Sequence, residues 1–165
     1  MTNEPAPRIE AATKEFLESP CSLIVGTVDD DGIPDGTRAW AVDVVDDGRR
    51  LRVLIATNAD ATIANLRAGG RIALTATDFV TLDSVQVKGR AEGVEARTAA
   101  DQVRFDENCA RCVGILVEAD RASEDAVWRF IPPGVVACVM TVEEVFDQTP
   151  GPAAGTQLAP VRTAP

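Results

Sequence analysis

The sequence predicts a mainly β protein: a small closed antiparallel barrel with helices on its flanks. Three observations carry this. Short apolar, β-branched runs follow one another with only acidic Asp/Gly turns between them, at Asp29-Asp30-Asp31-Gly32 and Asp46-Asp47-Gly48. Residues 84–92 alternate by side, with Val85, Val87, Gly89 and Ala91 on one face and Gln86, Lys88, Arg90 and Glu92 on the other. Helical periodicity is confined to the start, to one short insertion in mid-sheet and to the stretch before the last strand. Strands in such a series remove their exposed edges by closing on themselves.

Taken in order, residues 8–18 form a short amphipathic helix with Ile9, Ala12, Phe16 and Leu17 close to one face. Ser19-Pro20 ends it, because the residue before proline avoids helical angles. Strands follow over 22–28, 36–45 and 51–57. The second short helix starts at Asp60, a candidate N-cap, with Ile63 and Leu66 on one face and Gly69-Gly70 as its stop. Residues 71–77 and 84–92 are the next two strands. Residues 98–118 read as a helix that buries Val103, Cys109, Cys112, Ile115 and Leu116, and 121–129 as a further helical turn. Pro132-Pro133-Gly134 breaks the chain before the last strand, 135–146. One domain is expected over 1–148, followed at 149–165 by an irregular tail with four prolines and two glycines.

Composition narrows the function. With 16 Lys and Arg against 26 Asp and Glu the net charge is −10, which repels nucleic-acid backbones and anionic membranes. Neither class of partner is expected. No apolar run is long enough to span a bilayer, and the first residues lack the basic and apolar regions of a secretory signal. A cytoplasmic protein is expected. The sequence has no His and no Tyr, so the commonest metal ligand and the commonest general base are both missing. Cys109-Ala110-Arg111-Cys112 has CxxC spacing, but the pair falls late in its helix and has no second ligand pair. Two buried free thiols, and no metal, is the reading.

At this point the residues resemble a known family. Leu23-Ile24-Val25-Gly26-Thr27-Val28-Asp29-Asp30-Asp31-Gly32-Ile33-Pro34 is similar to the opening strand and turn of the pyridoxamine 5′-phosphate oxidase-like split barrels. Thr37-Arg38-Ala39-Trp40-Ala41-Val42 is similar to their second strand. Leu51 to Thr57, Asn65-Leu66, Arg71 to Leu74 and Val85 to Ala91 continue the pattern in order, over residues 9–95. The resemblance implies a six-stranded antiparallel split β-barrel, working as a homodimer with FMN in a groove between two copies. It implies an FMN-dependent oxidoreductase acting on a small molecule. Relatives that use a deazaflavin, or that bind a ligand or partner without catalysis, are the alternatives.

Site residues carry over position by position. Arg38 stands where the family places a phosphate-contacting arginine, and Ala39 and Trp40 where backbone meets the flavin ring. Ala56 and Thr57 stand at the strand end beside the phosphate, with Asn58 a further donor. Lys88 stands on the polar face of its strand. Thr62 occupies a position that is typically basic, and no Lys or Arg lies between Thr57 and Asn65. The phosphate is therefore expected near Arg38, Thr57 and the helix starting at Asp60. Each residue also has a structural role open to it. Arg38 can pair with a carboxylate, Trp40 can pack in a core or a dimer contact, Thr57 and Asn58 can cap a helix, and Lys88 can stay solvated. No catalytic residue is identified.

Overall fold

A computed structural model of the chain describes residues 7–159. Helix α1 (Ala11–Leu17) leads into a meander of β1 (Ser22–Val28), β2 (Pro34–Val45) and β3 (Arg50–Ala56). Helix α2 (Asp60–Arg67) precedes β4 (Arg71–Thr77) and β5 (Ser84–Ala96). Helices α3 (Ala99–Asp120) and α4 (Glu124–Trp128) come before β6 (Val135–Asp147) and β7 (Gln157–Ala159). All pairings are antiparallel in the order β3-β2-β1-β4-β5-β6-β7. A further β3–β6 ladder, from Arg50 opposite Thr141 to Ala56 opposite Val135, closes six strands into the expected barrel.

Alternation along β3 builds two cores. Leu51, Val53 and Ile55 point inward with Leu23, Val25, Leu74, Val87 and Met140. Leu54 points outward and joins Ala41, Val135, Ala137, Phe105 and Cys109 beneath α3. Complete burial of a Leu such as Leu51 or Leu74 contributes about 1.5–3 kcal/mol. Helix α2 stoppers one end of the barrel with Ile63 and Leu66, and the Gly70 carbonyl just after it accepts from the Ala91 N–H at 3.1 Å.

Helix α3 is fixed by polar groups as much as by apolar ones. Thr98 and Asp101 form a reciprocal capping box. The Asp101 carboxylate also accepts two bonds of 2.7 Å from Arg52 on the outer face of β3. Further along, Arg104 pairs with Asp43 of β2. Those anchors set the helix phase, so the buried face holds Asp101, Phe105, Asn108, Cys109 and Val113. Val103 is a correction to the sequence reading: it is 56% exposed, because it lies midway between Asp101 and Phe105 and points away from both. Ile115, Leu116 and Cys112 are half-buried.

Two further expectations change. Asp60 is not the N-cap of α2. Ala59 takes that position, its N–H turned back to the Ala56 carbonyl at 3.1 Å, and its methyl side chain has no acceptor to cap the helix. The tail is not irregular throughout: β7 pairs with the end of β6, and Thr149 Oγ1 accepts from the Ser84 N–H at 3.0 Å. Residues 1–6 of the expected domain and the last part of the expected tail, 160–165, lie outside the described residues. No helix of the described residues is long and apolar enough to cross a membrane.

The Arg52 pair predicts a pH signature. Bonds from the Arg52 guanidinium hold the Asp101 carboxyl down to about 2, with help from the Thr98 N–H and hydroxyl. A carboxylate with a depressed folded-state pKa stabilises above its ordinary range, and that contribution is lost as pH falls through about 2. The contribution at neutral pH is ~2 kcal/mol. In urea unfolding, Asp101→Asn is expected to cost about 3 kcal/mol at neutral pH and to flatten the acid limb of the stability profile. An unchanged acid limb would show that the pair does not hold α3 in place.

Candidate functional site

A β-bulge in β2 builds the site. Ala39 lies opposite Ile55 and Ala41 opposite Leu54, so Trp40 is one residue in excess. The bulge turns Trp40 outward, where its ring meets Phe105 edge-on with centroids 6.5 Å apart. Asn108 of α3 donates to the Trp40 carbonyl at 2.8 Å and holds the bulge in place. The Trp40 Nε1 is buried without a hydrogen-bond partner among the described residues.

Arg38, Ala39 and Trp40 together form one wall of a cavity of about 420 Å³, in the size range of small-molecule sites. The opposite walls are apolar: Phe79 from the β4–β5 turn, Val113 and Leu116 from α3, and Val127, Phe130 and Ile131 from the segment around α4. Phe130 is 79% exposed at its rim. Arg38 brings the cation. Its guanidinium lies 6.0 Å from the Trp40 ring centroid and makes only a long 3.4 Å contact with the Ser22 hydroxyl. Among the described residues no carboxylate pairs with Arg38.

Three of the four thiols, Cys21, Cys109 and Cys112, line the same cavity. All four are free. Burial pushes Cys21, Cys109 and Cys138 up to about 12 and Cys112 to about 11, the last moderated by Arg111 and Arg38. Such thiols are protonated at neutral pH and are poor nucleophiles. Among the described residues no group of three or more Cys, Asp or Glu is placed to hold a metal ion.

The other sequence-derived candidates lie outside the cavity. Ala56 is buried at the end of β3, one residue beyond the partner of Ala39. Thr57 and Asn58 are exposed in the turn before α2. Thr62 is fully buried and its hydroxyl donates to the Asp35 carboxylate, so it is not presented to a ligand. Lys88 is on the outer face of β5, its ammonium 4.5 Å from the Phe146 ring centroid, and β4 and β1 separate it from Arg38.

One residue was missed. Arg97 follows β5 and is exposed, with no carboxylate paired to it among the described residues. A Cβ built on Gly134 would meet Thr57 Oγ1 at 3.7 Å and Arg97 Nη1 at 3.9 Å. A hydroxyl and a guanidinium therefore flank the recess at Gly134, both within ordinary contact distance of that position. The capping signature Thr98-x-x-Asp101, which starts α3, was the one sequence clue that Arg97 sits at a strand-to-helix corner.

Comparison with known proteins follows the geometry. The family model of pyridoxamine 5′-phosphate oxidase matches residues 9–147. The chain belongs to that family. Among solved structures, HupZ of Group A Streptococcus superposes with a TM-score of 0.56 at 20% identity, covering 89% of this chain and 99% of that one. An F420 reductase superposes with a TM-score of 0.56 at 18% identity, covering 83% and 98%. A putative pyridoxamine 5′-phosphate oxidase from Lactobacillus delbrueckii superposes with a TM-score of 0.52 at 20% identity, covering 84% and 93%. These likenesses show the split-barrel fold. No curated protein matches the chain.

Flavins are common in this family, and the residues present fit an FMN phosphate at the Gly134 recess rather than at Thr62. A hydroxyl and a forked guanidinium suit a phosphate monoester.

The thiol arrangement is testable. Without denaturant near neutral pH, a disulfide reagent is expected to react slowly, and first at half-buried Cys112. After unfolding, all four thiols should react. Rapid reaction of Cys21 or Cys109 in the folded protein would contradict the burial of these two thiols.

Proposed function

We propose that this chain is a cytoplasmic FMN-dependent oxidoreductase that works as a homodimer on a small apolar molecule. The observation that carries the reading is the position of the cavity. Arg38 and the Trp40 bulge stand between an apolar chamber and an outer sheet face that is open to solvent. On that face Ile24 lies opposite Arg38 and Thr75, and Thr75 opposite Gln86, in one row across four strands. Ile24 is 43% exposed, and a Cβ on Gly26 would meet nothing within 4 Å. A second copy laid on this face would bury Ile24 and enclose Arg38, and twofold closure is the common solution.

Each group has a separate task under this reading. Thr57 offers its hydroxyl to the phosphate, and Arg38 neutralises anionic charge at the cavity mouth. The bulged backbone at Ala39 and Trp40, fixed by Asn108, lines the ring side. Phe79, Leu116 and Val127 exclude water from the chamber. FMN, when bound, supplies the two-electron chemistry, which suits a chain with no His or Tyr. The thiols in the cavity wall stay protonated and take no part.

The test is direct. The purified protein is expected to scatter light as a dimer at micromolar concentration and to bind FMN with an absorbance band near ~450 nm. Arg38→Ala should weaken FMN roughly tenfold. A monomer that ignores added FMN would overturn the reading in favour of a barrel that binds a ligand or partner without catalysis. Binding of the deazaflavin F420 in place of FMN would reassign the cofactor.

A further inference from the structure

Resting on the flavin reading above, we propose that Arg97 supplies the cation for the phosphate monoester, in place of a basic residue on α2. The barrel brings it there through two ladders. Ala56 pairs with Val135, and Ala96 pairs with Val136. The end of β3, the start of β6 and the end of β5 therefore meet at one corner. Thr57, Gly134 and Arg97 are the next residues outward on those three strands, and the Thr57 N–H donates to the Gly134 carbonyl at 3.0 Å.

Charge at this corner favours an anion. The chain carries a net −10, yet Arg97 has no carboxylate partner among the described residues. The acids nearest in sequence, Glu95 and Asp101, are both bonded to Arg52, at 2.8 Å and 2.7 Å. Arg97 also lines a recess with Thr98, Ala99 and Gln102 at the start of α3. Position 62 cannot serve instead, because Thr62 is buried against Asp35. Gly134 marks how near the two groups come: a Cβ built there would stand 3.7 Å from the Thr57 hydroxyl and 3.9 Å from the Arg97 guanidinium.

The experiment compares FMN with riboflavin, which lacks the phosphate, by flavin-fluorescence titration of the wild type, Arg97→Ala and Arg97→Lys. A second arm measures the thermal stabilisation given by inorganic phosphate. Arg97 is exposed, so both variants are expected to fold, which circular dichroism checks. The wild type should prefer FMN over riboflavin. Arg97→Ala should reduce that preference roughly tenfold to a hundredfold while leaving riboflavin affinity unchanged. Arg97→Lys should restore part of it, keeping the charge without the fork. Phosphate should stabilise the wild type and not Arg97→Ala. If FMN binds and its preference survives Arg97→Ala, the phosphate lies elsewhere: this proposal fails and the flavin reading stands. If neither flavin binds but phosphate stabilises only chains with Arg97, the anion site stands and the flavin reading fails. If neither flavins nor phosphate bind, both fail.

Discussion

The ladder between β3 and β6 is the constraint on which the rest depends. Without it the six strands would form an open sheet with two exposed edges. With it, β3 lies between β2 and β6, its inner face is committed to the barrel and its outer face becomes the seat for α3. Arg52 and Leu54 stand on that outer face. One takes the α3 cap and the other takes its apolar side. The same closure carries Ala56, Val135 and Ala96 to a common rim, so that residues distant in sequence share one corner.

Where α3 lies decides where a ligand can go. It covers β2, β3 and β6, and its far end, with α4 and the segment after it, roofs the chamber beside Trp40. The outer face of β1 is left open at Ile24 and Gly26. Arg38 falls on the boundary between covered and open sheet. Such a boundary offers low-dielectric walls on one side and access on the other, a setting in which a single guanidinium has strong effect. At that boundary the bulge at Trp40 is tethered to Asn108, the kind of support from a neighbouring element that a binding site requires of its scaffold.

The strands were legible because their signals were local. β1 and β4 fall on the expected residues, β2, β3, β5 and β6 differ by a few residues at their ends, and β7 lies in a stretch expected to be irregular. Alternation and Asp/Gly turns report directly on half-buried strands. The phase of α3 was not legible, because polar anchors set it: Asp101 and Asn108 are buried, whereas apolar Val103 points to solvent. Hydrophobic periodicity cannot see a buried carboxylate whose partner, Arg52, is 49 residues away. The same blindness applies to the site. Arg38, Ala39 and Trp40 form one wall, as a contiguous stretch can suggest. Arg97 joins Thr57 only through strand closure, and Thr62 is withdrawn from the surface by Asp35, a contact no spacing rule contains.

Amide hydrogen exchange with and without FMN tests the central claim most directly, since it reads every segment at once. The account predicts new protection in three separate stretches: around Arg38 to Trp40, around Ala56 to Ala59, and around Arg97 to Ala99. It predicts little change along the solvent face of α2. Protection confined to α2, or absent from the stretch at Arg97, would contradict the claim that barrel closure brings these residues together to hold one ligand.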